Sequence, residues 1–138
     1  MNVKKLIKKY LKSSPSELLA AAQKNYDFIY NQICKNKDSS SAKTILSGII
    51  FICIGNDARI SQYEEGFLYL FFKNLSKSEI DFIKDEFSKS DIRNITIKFI
   101  KEQPLDIKEA IIELCIIVSC VDGEVDEYES EFLSKIIK

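Results

Sequence analysis

The chain has 138 residues, with 20 lysines and arginines against 21 aspartates and glutamates and no histidine at all. That length suffices for one domain with an apolar core of its own, and the near-zero balance excludes an overall field that would gather nucleic acid. Without histidine the chain lacks the commonest general base, the usual partner of an activated nucleophile and the commonest zinc ligand, which excludes most familiar hydrolytic sites.

The first segment, "VKKLIKKYLK", sets Val3, Leu6, Ile7, Tyr10 and Leu11 on one helical face and Lys4, Lys5, Lys8, Lys9 and Lys12 around the other. This is a short basic amphipathic helix over residues 1–12. Two uses fit it: docking on its own domain with the lysines in solvent, which is preferred, or peripheral contact with an anionic membrane. The N-terminus has no apolar stretch followed by a small-residue cleavage site, so a cytoplasmic location is expected, either free or at the inner face of the membrane.

Helix starts are legible farther on as capping boxes, in which Ser or Asp followed three residues later by Glu satisfies two orphan amides. Ser14-Pro15-Ser16-Glu17 opens a helix through "ELLAAAQKNYDFIYNQICK", with proline at the first helical position. The serine run in "KNKDSSSAK" reads as a surface loop. Further boxes are predicted at Ser61 with Glu64, Ser76 with Glu79, Asp106 with Glu109 and Asp126 with Glu129.

The runs "TILSGIIFICIG" and "AIIELCIIVSCV" are each about a dozen residues, well short of the roughly 20 that cross a bilayer, and read as core helices. "IRNITIKFI" is rich in β-branched residues, yet its length and flanks favour a helix. The four cysteines, Cys34, Cys53, Cys115 and Cys120, form no C-x-x-C pair and read as buried thiols of a reducing compartment. Phe67, Tyr69, Phe71 and Phe72, with Leu68 and Leu70, crowd one helix nearly all round, as for a central helix or one that meets a partner.

An offset of 65 positions sets "IFICIGNDARISQYEEGFLYLFFK" against "CIIVSCVDGEVDEYESEFLSKIIK". Asp57 then meets Asp122, Ile60 meets Val125, Tyr63 meets Tyr128, Glu64 meets Glu129, and Phe67 and Leu68 meet Phe132 and Leu133. Each copy reads as an apolar helix, a corner that begins at the aspartate, and a capped amphipathic helix. The corner is unlike an EF-hand loop: with Gly123 and Glu129 in the turn and bidentate positions, the first two ligand positions fall on Val118 and Cys120. In the first copy they fall on Cys53 and Gly55.

The paired "D-G/A-x-[IV]-x-x-x-E" corners resemble the TerB-like domain family of tellurite-resistance proteins, found also in membrane-associated DnaJ-type co-chaperones. The second copy, "VDGEVDEYESEFL", matches well, whereas the first has Ala58 in place of glycine and Asn56 before its aspartate. The likeness covers roughly residues 42–138. It implies an all-α bundle of about seven to eight helices with an internal pseudo-two-fold repeat, a single domain over 1–138 with repeat units at about 42–75 and 107–138. It also implies a role in stress or tellurite response and an acidic metal-binding patch at Asp57, Glu64, Asp122 and Glu129.

Two readings of those four acids stand level. Capping accounts for Glu64, Glu129 and Gly123, but an aspartate at a helix C-terminus faces the negative end of the macrodipole, and something must offset that at Asp57 and Asp122. If the corners meet, four carboxylates converge and favour a hard cation, Ca2+ or Mg2+. The expectation is therefore a non-catalytic binding or adaptor module with a protein partner and without nucleic acid. Its rivals are a metal-dependent hydrolase built on the clustered carboxylates and a membrane adaptor working through Lys4, Lys5, Lys8, Lys9 and Lys12.

Overall fold

Asn2 begins the first helix. In the computed structural model, which describes residues 2–35, 38–54, 76–120 and 133–137, its side-chain oxygen accepts the Lys5 amide at 3.1 Å and starts α1 (Val3–Leu11). Helix α2 (Pro15–Cys34) starts at the predicted box: the Ser14 amide donates to Glu17 Oε1 at 2.9 Å and the Glu17 amide to Ser14 Oγ at 3.2 Å. Helix α4 (Lys77–Ser88) repeats the arrangement, with Ser76 and Glu79 bonded reciprocally at 3.2 Å. Between these lies α3 (Ser39–Ile54), and after them come α5 (Ser90–Lys101) and α6 (Leu105–Ser119), with a further helical segment over 133–137.

Two local expectations are corrected. The serines of "DSSSAK" are helical rather than looped, because Asp38 caps α3: its Oδ1 accepts the Ser41 amide at 2.7 Å and its carbonyl accepts that of Ala42 at 3.1 Å. The box at Asp106 and Glu109 does not form. Helix α6 begins two residues earlier than that box requires, with Pro104 as its flank, and Asp106 turns to the adjacent Ile107 amide at 2.9 Å instead. The extended backbone of Pro104 fixes the start without a side-chain cap. "IRNITIKFI" is helical throughout, as α5. The boxes at Ser61 and Asp126, together with the aromatic run from Phe67 to Phe72, lie outside the described residues.

The described elements are all helices, and α6 is their hub. It packs on α1, α2, α3 and α5, with its largest contact against α2, while α4 packs on α3 and α5. The sequence explains this position. From Ile111 to Ser119 every side chain but Glu113 is buried, so α6 is apolar nearly all round and can only be stable in the middle of other helices. Ile29 and Ala22 of α2, Leu46, Ile49 and Ile50 of α3, and Ile100 of α5 close over Ile111, Leu114, Ile116 and Ile117, all fully buried. Leu133 and Ile136 join the same core from the segment over 133–137.

Polar groups inside this core are few among the described residues. Thr96 satisfies itself by donating to the Ile92 carbonyl at 2.8 Å. The hydroxyls of Ser47 on α3 and Ser119 on α6 are buried without a hydrogen-bond partner. Cys115 and Cys120 are buried and Cys34 is partly buried, in keeping with the reading of these three as core residues.

Candidate functional site

The separation of charge and apolar surface on α1 is set by sequence and then used by the fold. At 100° per residue its lysines occupy a sector of about 140°, and Val3, Leu6, Ile7 and Tyr10 fall in the opposite one. The apolar sector is laid against the core, where Tyr10 is buried and Val3, Leu6 and Ile7 are partly buried. Lys4, Lys5, Lys8, Lys9 and Lys12 are all exposed. Of the two uses considered for this helix, docking on its own domain is the one observed.

One polar contact fixes the docking. Tyr10 Oη donates to Glu113 Oε1 at 2.5 Å, joining α1 to the middle of α6. Burial raises the Tyr10 phenol well above its ordinary pKa, and the Glu113 carboxylate raises it further, first as hydrogen-bond acceptor and then as a negative charge. The phenol is therefore held as a donor. Lys9 folds its ammonium over the outer face of the same ring, 5.1 Å from its centre, which ties one lysine of the basic sector to the docking residue.

Glu113 was not singled out from the sequence as a functional residue. The signal was present: it is a lone acid within the apolar run "AIIELCIIV", and a carboxylate carried into a core helix needs a partner. What the sequence could not supply was the identity of that partner, 103 positions away.

From Asn2 to Ser16 the chain carries no acid among its lysines. Glu17 is the first carboxylate of the chain, and it is engaged by the Ser14 backbone amide and hydroxyl, which hold its pKa below the ordinary value. The ion pairs among the described residues, Lys89 with Glu86 at 3.0 Å and Lys98 with Glu102 at 3.9 Å, belong to α4, α5 and their flanks. Lysines 8 and 9 also lie in the last turn of α1, where the helix dipole favours positive charge. The result is a positive face about 13 Å long, at 1.5 Å per residue, held in a fixed orientation.

Asp57, Glu64, Asp122 and Glu129 lie outside the described residues, as do Tyr63 and Tyr128. Among the described residues no group of three or more Cys, Asp or Glu side chains is placed to hold a metal ion. No described helix is long and apolar enough to cross a membrane. No protein-family model matches the chain, and no curated protein or solved structure is significantly similar to it. The resemblance to TerB-like domains therefore rests on the corner motifs.

Proposed function

We propose that the chain is a non-catalytic binding or adaptor module of the TerB-like kind, acting through its surfaces. The observation that carries this reading is the lysine face of α1, held outward by the docking of its apolar side and the Tyr10–Glu113 bond. A helix serving only to cover the core needs polar residues on its outer face but has no need of a single sign of charge. Five lysines without an intervening acid make a surface that attracts anionic partners.

The repeat reading draws support from the helices that precede the corners. Helices α3 and α6, which precede the two corners in the sequence, pack on each other. In sequence, Asp57 and Asp122 each follow one of these two helices, 65 positions apart. A corner pair following two contacting helices is the arrangement in which Asp57, Glu64, Asp122 and Glu129 would share Ca2+ or Mg2+. The module would then work in the cytoplasm, in a stress or tellurite-response setting, with a protein partner.

The basic-face reading is tested by binding the full chain to a soluble sulfated polysaccharide across a salt series. The wild type binds with affinity that falls as salt rises, and Lys4→Gln with Lys8→Gln weakens binding and flattens that dependence. Equal binding by wild type and variant would show that the face is only a solvated one.

A further inference from the structure

We propose that the lysine face of α1 lies flat on an anionic lipid surface while the helix stays docked on α6, so that charge alone holds the domain there. This rests on the reading of α1 as a binding face and names its partner. An isolated basic amphipathic helix meets a membrane by sinking its apolar side into the acyl boundary. In this fold that side is occupied. Val3, Leu6, Ile7 and Tyr10 are packed against the core, and Tyr10 is bonded to Glu113. Pulling α1 away to insert would bury its own apolar side chains in lipid but would leave the core surface they cover exposed to water and Glu113 without its donor.

The composition of the face favours a diffuse anionic surface over a nucleic acid. It contains lysine alone, a flexible point charge, and no arginine to fork onto phosphate or a base edge. The aromatic residue of α1, Tyr10, is buried and offers no platform on which a base could stack. Leu11, 37% exposed, is the large apolar side chain that borders the lysine sector and would sit at the headgroup level.

Taking the five lysines from the chain's 20 basic side chains leaves 15 against 21 acidic ones, so the remainder is net acidic. An anionic surface therefore attracts the lysines of α1 where it does not attract the rest of the chain as a whole.

The test is co-flotation of the full chain with vesicles of mixed phosphatidylserine and phosphatidylcholine, with phosphatidylcholine vesicles alone as reference. Binding is expected only to the anionic vesicles. It should disappear as salt is raised from about 0.1 M to about 1 M, where the screening length falls from about 10 Å to about 3 Å. Neutralising Lys4 and Lys8 to glutamine should weaken it about fivefold for each lysine, about 25-fold for the pair. Both side chains are exposed, so an unchanged helical spectrum separates lost binding from lost folding.

Binding that survives high salt would mean insertion and overturn the docked arrangement. Lysine-dependent binding to the polysaccharide or to an oligonucleotide, without binding to anionic vesicles, would overturn the lipid partner and leave the basic-face reading intact. Lysine-dependent binding to neither would overturn both.

Discussion

Tyr10 and Glu113 are hydrogen-bonded at 2.5 Å across 103 positions of sequence, one on the first helix and the other in the middle of the most buried one. The bond anchors the apolar side of α1 on the middle of α6. Tyr10→Phe keeps the ring and removes the donor, so its cost is that of an orphaned, partly buried carboxylate, about 1–2 kcal/mol. Denaturant unfolding measures it, and a cycle with Glu113→Gln should show the two losses to be non-additive. Additive losses would mean that the contact contributes nothing of its own.

Alkaline pH should act through the same residue. Burial and Glu113 raise the Tyr10 phenol above its ordinary 10.0, and burial, assisted by Tyr30, pushes Tyr26 up to about 12. Below pH 10 both phenols keep their protons folded or unfolded, and the contribution is constant. Above it the unfolded chain releases protons that the folded chain retains, so stability falls as pH rises from about 10 through about 12. Tyr10→Phe and Tyr26→Phe should each flatten that fall, by up to about 1.4 kcal/mol per pH unit. Stability curves unchanged by either substitution would contradict the assignment.

Helix α6 offers two substitutions with opposite outcomes. Leu114 is fully buried, and Leu114→Ala should cost about 2–5 kcal/mol through lost transfer energy and the cavity left behind. Ser119 is equally inaccessible but its hydroxyl is buried without a partner, so Ser119→Ala should be neutral or stabilising by about 1 kcal/mol. Thermal unfolding of both variants checks this, and marked destabilisation by Ser119→Ala would reveal a bond to that hydroxyl.

The four corner acids make a separate prediction. If Asp57, Glu64, Asp122 and Glu129 share a cation, titration with calcium or magnesium should shift the amides of both corners saturably, and Asp57→Asn with Asp122→Asn should abolish the shifts. Weak shifts spread over every exposed acid would leave capping as the whole role of these residues.

Much of the described fold was legible because it is local. The boxes at Ser14 and Ser76 form as written, since cap and acceptor lie within one turn of each other. The apolar run around Ile111 to Val118 could only be a central helix, and it is one. Legibility failed where two local signals competed. Asp38 and the serines after it are all capping residues, and only the chain around them selects Asp38 as the start. Asp106 has the right spacing to Glu109, yet Pro104 had already begun the helix. The basic face of α1 was visible as a pattern, but its docked orientation depends on Glu113, and a contact between distant helices leaves no periodic trace in sequence.

The central claim is that α1 stays docked and binds through its lysines. The most direct measurement is an amide NMR titration of the full chain with the soluble sulfated polysaccharide. Shifts confined to residues 2–12, with the α6 amides around Glu113 unchanged, are the predicted result. Shifts centred elsewhere, or a collapse of the α6 signals as α1 leaves the core, would contradict it.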